Sequence, residues 1–315
     1  KRQPEQPKDL VLPFYLQFIE TCKKGARLNA KGLPVSNATI ISYTTTYNIL
    51  TEYENRQKKP FRFADIDLDW YNGFLAYLTT EKRQSVNYIG KHIKNLKTVL
   101  NDATERGLNE NLYFKRKSFK KPTELTTSIY LNDAELKVLQ QTNLSHHPRL
   151  DRVRDLFLIG CHTGLRHSDW SKVTPEQIED GFITITPNKT KDAVVIPVHD
   201  TVLQIIEKYN GKLPKVPSNQ KTNEYLKEIG KMLEHLKKVE TKRITKGGLL
   251  QSSNVEKWEL LTTHVARRSF ATNQYLAGIP TITIMAITGH KTEREFLRYI
   301  RATSKEHAQV MKLQW

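Results

Sequence analysis

Apolar residues return at helical spacing through four successive stretches of the first hundred residues, and that period excludes a sheet-based fold for this part of the chain. Leu10, Phe14, Phe18, Ile19 and Cys22 share one face over residues 10–24. After the turn-rich KGLPVSN, Ser36 or Asn37 can cap a second helix carrying Ile40, Tyr43, Tyr47 and Leu50. A third helix is expected over 68–80, with Trp70, Phe74, Leu75 and Leu78. A fourth runs over 85–105, with a stripe of Ile89, Ile93, Leu96, Leu100 and Ala103, and Gly107 as its stop. Its other side presents Lys91, Lys94, Asn95 and Thr98. Residues 8–108 therefore read as a four-helix domain.

Residues 109–128 read as a basic linker. The run FKRKSFKK supplies Lys115, Arg116, Lys117, Lys120 and Lys121 before Pro122 stops any helix. Such a run is either a solvated tether or a strap along phosphates. A second domain is expected over 129–315. It opens with a helix capped by Asn132 or Asp133, followed by an apolar helix over 150–162 and the turn TGLRHSD. Two β-branched runs, 182–186 and 193–198, flank PNKTKD and predict a hairpin. Further helices are expected at 201–209, 222–236, 263–277, 280–287, 293–301 and 304–315. The stretch 242–262 has weak β character, as of a hairpin insertion, and periodicity does not place it. The fold class is thus mainly α: a four-helix domain, then a mixed α+β domain with a small antiparallel sheet.

Charge narrows the partner. Lys plus Arg number 50 against 33 Asp plus Glu, a net +17, which points to a polyanion: nucleic acid first, an anionic membrane surface second. No apolar run reaches the roughly 18–20 residues of a membrane span. The N-terminus has neither an initiating Met nor a signal-peptide stretch, as in a fragment of a longer protein. Two cysteines, Cys22 and Cys161, make neither a disulfide framework nor a zinc cluster, and a cytoplasmic, nucleoid-associated location is expected.

Several polar residues sit where a core pattern does not ask for them. Arg166 lies in GLRHSD, His264 and Arg267 in HVARRSFAT, His290 in TGH, and Tyr299 nine residues later. Lys189 lies in the hairpin turn. Each alone has a plain reading: a surface arginine, a turn histidine, a packed tyrosine, a solvated lysine. The ordered set resembles the tyrosine recombinases, the integrases of phages and mobile elements, and is most like those of Bacteroides-type elements. The resemblance spans the second domain, and the helical first domain with its basic linker is similar to their SAM-like core-binding domain. It leads one to expect, in many members, a further arm-binding domain ahead of the core-binding domain.

The resemblance implies DNA strand cleavage and rejoining through a covalent 3′-phosphotyrosine, for integration and excision. Tyr299 is then the nucleophile, Arg166 and Arg267 hold the phosphate, and His264 and His290 donate to it or relay a proton. Lys189 protonates the leaving 5′-oxygen, with Lys191 as the alternative. No cofactor or metal is expected. Partners are a double-stranded recombination site, three further protomers reached by exchange of the helix 304–315, and accessory DNA-bending or excision factors. The two domains are expected to clamp the duplex, with Lys91, Lys94 and Asn95 in the major groove and the linker lysines on phosphates. Two rivals remain: a type IB topoisomerase-like enzyme that nicks and reseals, and a DNA-binding protein of the same fold without catalysis.

Overall fold

The computed structural model describes residues 9–29, 32–188 and 192–313. The chain divides into two compact units, Lys1–Thr126 with Arg243–Ser252, and Thr127–Lys242 with Ser253–Trp315.

The first unit is built on four α-helices, α1 (Val11–Lys23), α2 (Asn37–Gln57), α3 (Leu68–Ala76) and α4 (Val86–Glu105). Ser36 caps α2 by accepting from the Thr39 amide, and Asp67 caps α3 by accepting from Trp70. The third helix runs on into a π turn, Tyr77–Glu81. The apolar faces close on a core that includes Phe14, Tyr15, Leu50, Phe74, Ile93 and Leu96.

Two features of this unit differ from the sequence-based expectation. Asn95 is not a free surface side chain: it is 6% exposed, and its amide donates to Ser42 O, Ser42 Oγ and Thr46 Oγ1 at 2.9–3.0 Å. The buried Thr46 also meets His92 Nδ1 at 2.9 Å, so a polar seam joins α2 to α4. Residues 109–126 belong to the compact unit and are pinned to it. Phe114 and Phe119 are fully buried, Tyr71 Oη donates to Lys120 O at 2.6 Å, and Lys97 Nζ donates to Phe119 O at 2.9 Å. Pro122 O would lie 2.1 Å from a Cβ at position 90, so only Gly90 lets the segment pass this close to α4. The segment Arg243–Ser252 is held to the same unit. Ser85 pairs with Lys246, Gly247 N–H donates to Gln84 O, and Thr245 N–H donates to the Glu124 carboxylate.

The second unit is centred on α6 (Pro148–Thr163), which is buried on nearly every face and follows α5 (Asp133–Gln141). A three-stranded antiparallel sheet comes next: β1 (Ile178–Glu179), β2 (Phe182–Ile185) and β3 (Val194–Pro197), in that order. Ile183 pairs with Ile196 and Ile185 with Val194, and all four point inward. Helices α7 (Asp200–Lys208) and α8 (Asn219–Met232) precede a long hairpin, β4 (Val239–Lys246) and β5 (Leu249–Glu256). Gly247 and Gly248 both take positive φ at its tip, as a two-residue primed turn requires. The stretch 242–262 is thus the end of β4, all of β5 and a single 3-10 turn. Helices α9 (Thr263–Leu276), α10 (Thr281–Thr288), α11 (Glu293–Leu297) and α12 (Ser304–Leu313) complete the unit.

Candidate active site

Two helix ends build the site. Helix α6 stops at Gly164 and α10 at Gly289, each in the left-handed conformation that lets the chain reverse. The first reversal delivers Arg166 and the second delivers His290. Arg267, only 3% exposed, projects from α9 between them. Its Nη1 donates to Gly164 O at 2.7 Å, and its Nη2 donates to Thr288 O. Both carbonyls lie at helix C-termini, where the aligned peptide dipoles favour a cation. Burial and the neighbouring Arg166 pull the Arg267 pKa down, while Tyr299 and Asp169 oppose that shift. A guanidinium stays charged throughout the neutral range even so.

His290 lies beside Arg267, its Nε2 3.5 Å from Arg267 Nη2 and its Nδ1 2.8 Å from Thr288 Oγ1. The Thr288 hydroxyl donates to Ile284 O, so it accepts from His290 Nδ1–H. The proton is thereby assigned to Nδ1, and Nε2 keeps a lone pair toward Arg267. Burial, then Arg267 and Arg166, push the His290 pKa down to about 4, and the ring is neutral at physiological pH.

Tyr299 follows α11 by two residues in a turn, with its amide donating to Phe296 O at 2.7 Å. Its ring centroid lies 4.6 Å from the His290 ring and 5.7 Å from Arg267 Cζ. His264 is exposed in the first turn of α9, three residues before Arg267 and on the same side. Arg166, Arg267, His290 and Tyr299 therefore form one cluster, with His264 on the adjacent turn. Lys189 and Lys191 lie outside the described residues. Among the described residues, no group of three or more His, Cys, Asp or Glu side chains could hold a metal ion.

Residues 131–306 match the phage integrase family, and residues 11–121 match the phage integrase SAM-like domain. The chain belongs to the phage integrase family. Its fold is that of the tyrosine recombinases, and the chain is a site-specific recombinase of that family. Among solved structures it is similar to the Tn1549 transposon integrase (aa 82-397) in complex with circular intermediate DNA. That match has 17% identity and a TM-score of 0.62, and covers 96% of this chain and 99% of that one. It is also similar to a lambda integrase (75-356) dimer bound to a COC′ core site, at 15% identity and TM-score 0.66, covering 92% and 95%. A third is the XerH recombinase bound to palindromic difH, at 14% identity and TM-score 0.64, covering 98% of each chain. No curated protein sequence matches.

Three residues that motif reading passed over also shape the integrase site. Asp169, fully buried inside GLRHSD, accepts from the Asn188 amide at 3.0 Å and pairs with Lys172 at 3.2 Å. It thereby ties down one residue of the β2–β3 connection. Arg301, two residues beyond Tyr299, donates from Nε to Ser128 Oγ at 2.5 Å. Thr272, fully buried on α9, bonds the backbone on both sides of residue 300. Asp169 and Thr272 could have been suspected from their places in GLRHSD and HVARRSFAT; Arg301 has no local signal. The remaining candidates are spread over the first unit. Lys94, Lys115, Arg116, Lys117, Lys120 and Lys121 are exposed and Lys91 is half-buried. Lys91, Lys94 and Lys121 line a surface groove with Thr39, Ser42 and Tyr43 of α2. Among the described residues no helix is long and apolar enough to cross a membrane.

Proposed function

We propose that this integrase cuts and rejoins duplex DNA at a mobile-element recombination site with Tyr299 as nucleophile. The observation that carries the reading is the convergence of Tyr299, Arg267 and His290 within about one side-chain layer. In the reaction, Tyr299 Oη bonds to the scissile phosphorus and the bond from phosphorus to the 5′-oxygen breaks. That oxygen takes a proton and leaves as a hydroxyl; attack by a second strand's 5′-hydroxyl reverses the step and exchanges strands. Negative charge gathers on the non-bridging oxygens, where two guanidinium groups each offer paired donors, the role of Arg166 and Arg267. A neutral His290, whose Nε2 is an acceptor with only a long 3.5 Å contact from Arg267, suits acceptance of the tyrosine proton better than donation to phosphate. His264 is assigned the donor role, and Lys189 that of general acid to the leaving oxygen, with Lys191 the alternative.

The DNA-facing side of the first unit is assigned to Lys91 and Lys94 on α4 with the exposed basic run Lys115–Lys121, and Asn95, mostly buried, lines the groove beside them. The working unit is assigned as four protomers, with α12 passing to a neighbour. The exposure of Ala308 and of Met311 (55%) supports this, as does the similarity to a lambda integrase tetramer bound to a Holliday junction. The side chains of Leu313 and Trp315 lie outside the described residues. The deciding experiment uses a nicked suicide substrate carrying the recombination site. Tyr299→Phe should bind this DNA as tightly as the parent and form no covalent adduct. An undiminished adduct would move the nucleophile elsewhere.

A further inference from the structure

The nucleophile sits on no helix that could hold it. Helix α11 has five residues and ends two before Tyr299, and so short a helix has no stability of its own. Something else must fix the tyrosine against the two arginines. The backbone around it makes two hydrogen bonds to one buried side chain. Thr272 Oγ1 donates to Tyr299 O at 3.4 Å and accepts from the Arg301 amide at 3.2 Å. One hydroxyl has one proton and two lone pairs, so it can serve a carbonyl and an amide together. Thr272 is fully buried, and it stands on α9 five residues after Arg267. A helix is stiff over that distance, so the phosphate-holding arginine and the turn that carries the nucleophile are measured from one rod.

We propose that the Thr272 hydroxyl is a positioning residue for strand cleavage, clamping the turn that carries Tyr299 at a set distance from Arg267. This rests on the assignment of Tyr299 as nucleophile. The competing role is packing: Thr272 adjoins the small cluster of Phe270, Ala271, Ile284 and Phe296, and its methyl group could matter more than its oxygen. The two roles separate in a square of variants. Thr272→Val keeps the shape and loses the hydroxyl; Thr272→Ser keeps the hydroxyl and loses the methyl; Thr272→Ala loses both. Single-turnover adduct formation on the nicked substrate is measured beside DNA affinity and melting temperature. A misplacement of about 1 Å can cost about 100-fold in rate, so valine should lower adduct formation by about 10- to 100-fold with affinity unchanged. Serine should stay near the parent, and alanine should fall with valine. The serine–alanine pair differs in the hydroxyl alone and carries the test if the valine protein does not fold. Equal rates for serine and alanine, or a valine variant that cleaves like the parent, would overturn the clamp. An adduct formed by Tyr299→Phe would instead overturn the nucleophile on which it rests.

Discussion

The two arginines have different tasks although their chemistry is the same. Arg267 is buried and spends two of its nitrogens on the carbonyls of Gly164 and Thr288, whereas Arg166 is half-buried at the mouth of a turn. Removing Arg267 leaves two inward carbonyls unpaired, at about 1–3 kcal/mol each. Arg267→Ala should therefore lower both adduct formation and melting temperature. Arg166→Ala should lower adduct formation by about two or more decades with little change in melting temperature. Arg166 also contributes to holding His290 neutral. Its removal should raise the His290 midpoint from near 4, visible in an NMR titration of the ring; an unmoved midpoint would place Arg166 outside the cluster.

At the scale of elements, the seam between α2 and α4 makes the first unit sensitive to acid. The Thr46 hydroxyl donates to Ser42 O and accepts from Asn95, so its remaining lone pair meets His92 Nδ1–H. Among the described residues His92 Nε2 is buried without a hydrogen-bond partner, a place for a lone pair and not for a charge. Burial, with Lys91 second, pushes the His92 pKa down to about 4. Between pH 6.5 and 4 the unfolded chain thus binds a proton that the folded one refuses. Stability then falls as pH drops through that window, by up to about 3 kcal/mol from this residue. His92→Gln, which cannot titrate, should flatten the acid slope of urea unfolding in the full chain. His162 and His290 are also held near 4, so the difference between variant and parent, not the whole slope, reports His92. An identical slope in both would show that His92 is protonated in the fold.

On the scale of the whole molecule, the last helix has two possible homes. Glu306, in its first turn, accepts from Tyr130 Oη and from the Thr303 amide, which ties the start of α12 to its own unit. The face with Ala308 and Met311 stays exposed. A ten-residue helix with an uncovered apolar face gains its stability from whatever covers that face. Deleting 305–315 should leave binding to a single site intact and abolish the four-protomer complex on DNA, seen as loss of the slowest band in a mobility-shift assay. Recombination at the parental rate by the truncated protein would refute exchange between protomers.

Helix positions and the residue types of the site were legible because both are local properties. The 3.6-residue period of Ile89, Ile93 and Leu96 and the cap at Ser36 need only neighbouring residues to be read. HVARRSFAT likewise names its arginine and histidine within one helical turn. The misread positions have partners far along the chain. Asn95 has the polarity of a surface residue, yet Ser42 and Thr46, which satisfy its amide, lie about fifty positions earlier. The charges of 109–128 hid two anchors, Phe114 and Phe119. The hairpin over 239–256 exposes most of its side chains, so no burial alternation marks it. Thr272 closes the HVARRSFAT run, but its role exists only where α9 meets the turn around Tyr299, so the run alone does not reveal it. Local periodicity and residue chemistry are written in the order of the chain. Which buried hydroxyl meets which backbone group depends on chain closure over more than twenty residues, and packing alone decided it.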